Sequence, residues 1–501
     1  MQYQSTRTAG ACVASARAIA EGICADGGLY VPENCPVLTD SDFAALEAES
    51  YPERAARILS LFLTDFTKEE IADCVSQAYS EQKFSGGNPA PVRRLADGTS
   101  FLELWHGPTC AFKDMALQLL PHLLTRSLKK TGTEKDALIL VATSGDTGKA
   151  ALEGFRDVPG TSVLVFYPQD GVSPLQNLQM RTQEGENVAV CAVKGNFDDA
   201  QTGVKKLFAD SELREALAER GLMFSSANSI NWGRLVPQIV YYFSAYCDLV
   251  ASGTVRRGQP VNIAVPTGNF GDILAAYYAK KMGLPVKKLI CASNSNNVLT
   301  DFLRTGVYSR NRKFYTTISP SMDILVSSNL ERLLFDLTGG DGKKVSGWMK
   351  QLSETGEYRV DGPVLDTIRK LFYAGYCGDN VTRSEIKRVF QAEQYLCDPH
   401  TAVASVVAGA YRKETGDETP MIVVSTASPY KFSSDVLEAL TGSRPTEGNE
   451  FSSVEALSSL TGTEVPGPIA ALREKPTRFG TVCQKEEMGA AVLKFSRRDF
   501  V

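Results

Sequence analysis

Six short apolar runs, separated by stretches with helical spacing, constrain this chain more than any other feature. They are Ala137 to Ala142, Ser162 to Tyr167, Val188 to Val193, Val261 to Val265, Lys288 to Ala292 and Met421 to Val424. Continuous apolar runs of strand length mark strands buried on both faces, and the helical stretches between them are the crossovers of βαβ units. The expectation is an α/β fold with parallel sheets and helices on both faces. In such folds ligands gather beyond the carboxyl ends of the strands, so the loops leaving these runs are where function is sought.

Around this region the pattern changes. Residues 1–90 read as a mainly helical N-terminal domain, with helical spacing at Asp40 to Ala48, Ala55 to Thr64 and Lys68 to Ala78. The stretch Ala25 to Glu33 reads as a tight turn entering a short extended piece. Residues 91–445 form the α/β region, in two subdomains with the smaller at about 120–250, and 446–501 form a polar closing segment. A chain of 501 residues exceeds one ordinary core, as this division requires.

Composition excludes several functions. A net charge of −5 with scattered Lys and Arg argues against nucleic acid or acidic membranes as partners. No run approaches the ~20 apolar residues of a membrane span, and the N-terminus has no apolar signal region, so the cytoplasm is expected. The eleven cysteines include no CxxC, and several lie in apolar runs, which favours buried thiols in a reducing compartment. Three histidines without His/Cys clustering leave no zinc or other metal site.

Four segments carry candidate chemistry. Lys113 lies in His106-Gly107-Pro108-Thr109-Cys110-Ala111-Phe112-Lys113-Asp114, after a Gly-Pro turn and at the opening of a helix. An amine held among apolar neighbours loses its proton near neutral pH and attacks carbonyls, the chemistry that anchors pyridoxal phosphate (PLP). A packed helix start is the alternative. Pro266-Thr267-Gly268-Asn269-Phe270-Gly271-Asp272 leads from a strand into a helix, and its backbone amides suit a phosphate. An ordinary strand-to-helix turn is the competing reading. Thr143-Ser144-Gly145-Asp146-Thr147-Gly148-Lys149 lacks the Gly at 143 and the Ser or Thr at 150 of a P-loop, so it suits a substrate anion or ring edge rather than a nucleotide. A plain turn stands beside that reading. Thr426, at the end of the last run, offers a hydroxyl to a pyridine nitrogen or caps a helix.

Asn231 and Arg234 precede a long apolar helix, where Arg234 either forks onto an anion or sits at the surface. Lys149 is either a further phosphate ligand or a helix-surface lysine. His400, before another helix, is read as capping or packing.

Taken together, HGPTCAFKDMALQ, TSGDTGKAA, NSINWGRLVPQ, PTGNFGDILAAYYA and DPHTAVA resemble the motifs of the threonine synthase family in their order along the chain, and ADGGLYVPE resembles its N-terminal domain. The likeness covers about residues 1–445. It implies a fold-type II PLP enzyme, of the tryptophan synthase β-like group, that converts O-phospho-L-homoserine and water to L-threonine and phosphate. By the same resemblance Lys113 is the catalytic lysine and the anchor of PLP. Gly268, Asn269, Phe270, Gly271 and Asp272 line the cofactor phosphate, and Thr426 faces the ring nitrogen. A neutral hydroxyl there makes the ring a weaker electron sink than an aspartate does, which throws the proton transfers onto Lys113. Substrate-phosphate donors are expected among Ser144, Thr147, Lys149, Asn231 and Arg234. One departure stands out: the family's His-Pro-Ala-Lys-Phe is Ser428-Pro429-Tyr430-Lys431-Phe432 here. The alternatives are a PLP-dependent phospho-lyase that releases a keto acid, and a non-catalytic ligand-binding protein on the same scaffold.

Overall fold

The computed structural model describes residues 1–8, 12–84, 86–143, 145–169, 172–444 and 451–497. All six apolar runs are strands, distributed over two sheets. The larger sheet has the order Phe372–Tyr376, Val286–Ser293, Val261–Pro266, Met421–Ser425, Thr99–Glu103, Val92–Arg94. Its first five strands are parallel and the last is antiparallel. The smaller sheet is wholly parallel, in the order Val482–Gln484, Val188–Lys194, Thr161–Pro168, Asp136–Ala142, Leu222–Ser225. Every residue of Val261–Pro266 is buried, as expected of a strand covered on both faces.

The N-terminal region holds the helix Ser15–Glu21 and, where the sequence has helical spacing, Asp40–Ala48, Tyr51–Phe62 and Lys68–Ala78; these last three have clear start signals. Local sequence sets their starts. Thr39 with Asp42, Ser50 with Glu53, and Thr67 with Glu70 each form a capping box. The region also contains a small antiparallel sheet, Gln2–Ser5 between Val13–Ala14 and Tyr30–Pro32. Tyr3 and Phe62 pack on Trp232, with ring centroids 5.4 and 5.6 Å away, which fixes this region to the helix Trp232–Ala251. That helix is almost entirely buried. Among the described residues no helix is long and apolar enough to cross a membrane.

The closing segment contributes more than polar loop. Its helix Met488–Ser496 packs on the smaller sheet, and its strand Val482–Gln484 extends that sheet by pairing with Val188–Lys194.

Candidate active site

Lys113 caps the one-turn helix Asp114–Leu117, and its loop is stitched to the loop after the strand Met421–Ser425. Phe112 N–H donates to the Thr426 carbonyl at 2.8 Å, and Ser428 N–H donates to the Cys110 carbonyl at 3.0 Å. The lysine and Thr426 are thereby held in one frame. Asp114 fastens the turn from below, accepting from the Thr109 amide (2.8 Å) and hydroxyl (2.7 Å). Burial pushes the Asp114 carboxyl up to about 6 against the pull of those two donors.

The Lys113 amine donates to Ser321 Oγ at 3.3 Å, lies 3.9 Å from Asp146 Oδ2, and sits over the Phe112 ring. Burial is the largest influence on it and lowers its pKa. Lys431 and Arg234 push in the same direction, while Asp146 opposes them. The amine therefore has the environment that a nucleophilic lysine requires.

Ser321 links this amine to the glycine loop. A Cβ on Gly268 would stand 2.6 Å from the Ser321 carbonyl oxygen, so only glycine lets the loop pass so close. Asn269 spends its side-chain amide on Ser229 Oγ (2.6 Å), and its carbonyl accepts from Asn329 N–H (3.0 Å). Phe270 turns through a left-handed φ of 68° to start the helix Gly271–Lys281. Cys110, in the lysine loop, holds φ 57°. Such conformations strain residues with side chains, and the lysine loop and the glycine loop each hold one. Among the described residues the amides of Gly268, Asn269 and Phe270 meet no protein acceptor. Together with the helix start they form an anion cradle without a basic side chain.

Asp272 does not face that cradle. Its Oδ1 accepts from Tyr241 and from Tyr242 (2.5 Å), its Oδ2 has no partner among the described residues, and burial pushes its pKa to about 6. Gly271 keeps its amide near Asn269 Oδ1.

The remaining expected ligands divide. Arg234 is buried, forms no ion pair among the described residues, and leaves Nε without a partner. One Nη donates to the Ala227 carbonyl. Burial lowers its pKa to about 10, and its charge reaches Lys113. A buried guanidinium with no carboxylate is a place for an anion. Thr147 is half-buried on the first turn of the helix Asp146–Phe155. Ser144 lies outside the described residues. Asn231 is used up as a helix cap, accepting from Gly233 N–H (2.8 Å) and donating to the Ile19 carbonyl (2.9 Å). Lys149 is buried rather than on the helix surface, and its ammonium is committed to Glu153 and Gln183. Thr426 is buried with no protein group on its hydroxyl among the described residues.

Three participants escaped sequence reasoning. Ser321 follows no motif. Asp146 and Lys431 lie within segments already noted, yet only the fold brings them to 2.8 Å. His400 packs on Phe432. Its Nδ1 pairs with Asp398 (2.6 Å), and its Nε2 accepts from Ser321 N–H (3.2 Å), so it holds the Ser321 turn rather than facing Lys113.

These features fit PLP. A buried amine, an amide cradle next to it and an uncommitted hydroxyl in the same frame match the aldehyde, phosphate and ring nitrogen of that group.

Known proteins place the chain in a family. Residues 2–79 match the family model "Threonine synthase N terminus", residues 91–427 match "Pyridoxal-phosphate dependent enzyme", and residues 401–492 match "Threonine synthase, C-terminal". The chain is 40% identical to the threonine synthase of Pseudomonas aeruginosa over 448 residues, covering 89% of this chain and 92% of that one. It is 42% identical to threonine synthase-like 1 of Homo sapiens over 433 residues, 84% of this chain, but it spans only 57% of that protein's length. The crystal structure of PLP-bound threonine synthase from Brucella melitensis superposes with a TM-score of 0.87 at 37% identity, covering 99% of this chain and 100% of that one.

Proposed function

Because the chain belongs to the PLP-dependent threonine synthase family, we propose that it converts O-phospho-L-homoserine and water into L-threonine and inorganic phosphate. The observation that carries this reading is the pair of anion subsites beside one buried amine. One is the amide cradle at Gly268 to Phe270, and the other is the uncompensated Arg234. A phosphorylated cofactor and a phosphorylated substrate call for at least two such places.

When bound, PLP supplies an aldehyde for the substrate amine and a ring that draws electrons from Cα. Lys113 anchors it and, once released by the incoming substrate amine, carries protons between Cα and Cβ. Gly268, Asn269 and Phe270 hold the cofactor phosphate through backbone N–H groups. Thr426 offers its hydroxyl to the ring nitrogen. Arg234, with Thr147 and Ser144, takes the substrate phosphate and keeps hold of it as it leaves Cγ. Asn231 and Lys149 act at one remove, by fixing the helix of Arg234 and the helix of Thr147. The cytoplasm is part of the same proposal, supported by eleven cysteines of which no two are spaced CxxC.

The test is to supply O-phospho-L-homoserine to the PLP-loaded protein and to measure phosphate, threonine and 2-oxobutanoate together. Equal amounts of phosphate and threonine are expected. Phosphate with 2-oxobutanoate and no threonine would replace this reading with the phospho-lyase.

A further inference from the structure

A second buried lysine shares a carboxylate with Lys113. The side chain of Lys431, in the turn Pro429–Phe432, has no solvent exposure. Its ammonium lies 2.8 Å from Asp146 Oδ1 and donates to the Thr109 carbonyl at 2.8 Å. Asp146 Oδ1 also accepts from the Gln176 side-chain amide at 2.9 Å, while its Oδ2 faces Lys113 Nζ at 3.9 Å. Lys431 therefore ties together three loops: its own, the loop that carries Lys113, and the start of the helix Asp146–Phe155 on the smaller sheet.

In a dry site a carboxylate holds a proton on whichever amine it contacts, and an ammonium does not attack an aldehyde. Asp146 unshared would do this to Lys113. With Lys431 at 2.8 Å and Lys113 at 3.9 Å, the carboxylate is already claimed. Burial alone would raise the Asp146 pKa, yet Lys431 and then Lys113 outweigh it and hold the carboxyl well below its usual range. The acids that face Lys113 are Asp146, Asp114 and Asp272, and the cations are Lys431 and Arg234.

We propose that Lys431 is a positioning residue for Lys113: by taking Oδ1 of Asp146 and anchoring to Thr109, it keeps that carboxylate from closing on the amine. The proposal rests on the reading of Lys113 as the cofactor lysine.

The test adds PLP to the full chain between about pH 6 and 10 and follows the rate at which the visible absorption band develops. Lys431→Met keeps most of the length of the side chain and removes its charge. The midpoint of its rate profile should move up by about one unit, so that the band forms about tenfold more slowly near pH 7. Lys431→Arg should keep the wild-type midpoint. The double variant Lys431→Met/Asp146→Asn, which buries no unpaired charge, should return to the wild-type midpoint or below. A purely structural role would lower the yield of folded protein without moving the midpoint. An unshifted midpoint in Lys431→Met, or a double variant as high as the single, overturns the proposal. If the single variant does not fold, the double carries the test, and a midpoint above wild type overturns it. A wild-type protein that forms no band overturns the reading of Lys113 and this proposal with it. A normal wild-type band with an unshifted Lys431→Met overturns only the proposal.

Discussion

The loops at 143–148 and 266–271 are built from the same vocabulary: a strand end, a threonine, glycines, and a helix with an aspartate in its first turn. They use it in opposite ways. In the first, Thr143 Oγ1 takes the amides of Gly145 and Gly148, each at 3.0 Å, so two of the donors are spent inside the loop. In the second, the Thr267 hydroxyl turns back to the Val265 carbonyl (2.7 Å), and the amides of Gly268, Asn269 and Phe270 are left for a ligand. The aspartates diverge as well. Asp146 lies between two lysines and is held ionised, whereas Asp272 lies under two tyrosines and is pushed up to about 6. Of these two glycine-rich strand-to-helix loops, the one whose threonine faces away thus keeps its amides for an anion. A similar loop whose acid is paired with lysines sets charge instead.

The widest gap between the two loops should appear through the amine they flank. Lys113→Ala is expected to lower kcat by at least about 10³-fold while PLP still binds, because proton transfer and anchoring are lost together. Steady-state rates set beside a binding titration check this. Next in size, Arg234→Gln should reduce kcat/KM by about 10–100-fold, equivalent to ~1.5–3 kcal/mol for hydrogen bonds to a charged group. PLP affinity should hardly change. Parallel losses in both would merge the two anion sites into one.

The aspartates sharpen the contrast through pH. The folded-state pKa of Asp272 is raised to about 6, so between the unfolded value near 4 and about 6 the folded protein holds a proton that the unfolded chain releases. Stability from this group is therefore present at low pH and is lost as pH rises through that window. Asp272→Asn removes the loss and should gain on the order of 2 kcal/mol relative to wild type between pH 4.5 and 7.5, read by chemical denaturation. The two glycines should separate the loops at smaller cost. Gly268→Ala drives a Cβ toward a backbone oxygen and should weaken PLP binding by about tenfold, within the ~1–3 kcal/mol of overpacking. Gly145 has φ 144°, a conformation that side chains rarely adopt, and a Cβ there would press on the buried Gln176 side chain, so Gly145→Ala should cost at least about 1 kcal/mol of stability and leave the amide cradle at 268–270 intact.

Legibility in the sequence followed the range of the interactions. The six apolar runs announced their strands because burial on both faces leaves a continuous signal. Thr99–Glu103 and Phe372–Tyr376 did not, since polar residues or glycine break their runs. Val482–Gln484 is a three-residue edge strand that only its distant partner defines. At the site, Lys113, Gly268 and Arg234 stood out through their neighbours in sequence. The inward turn of Asp272 depends on tyrosines about thirty residues earlier. The engagement of Lys149 depends on Gln183, and the claim of Lys431 on Asp146 spans most of the chain. None of these leaves a local trace.

Three lysines surround this site, the buried Lys149 and Lys431 and the largely buried Lys113, and the account turns on which of them bonds to the cofactor. Borohydride reduction of the PLP-loaded protein, followed by peptide mass spectrometry, reads that directly. The pyridoxyl group is predicted on Lys113 alone. Its appearance on Lys431 or Lys149, or on no lysine at all, would contradict the account.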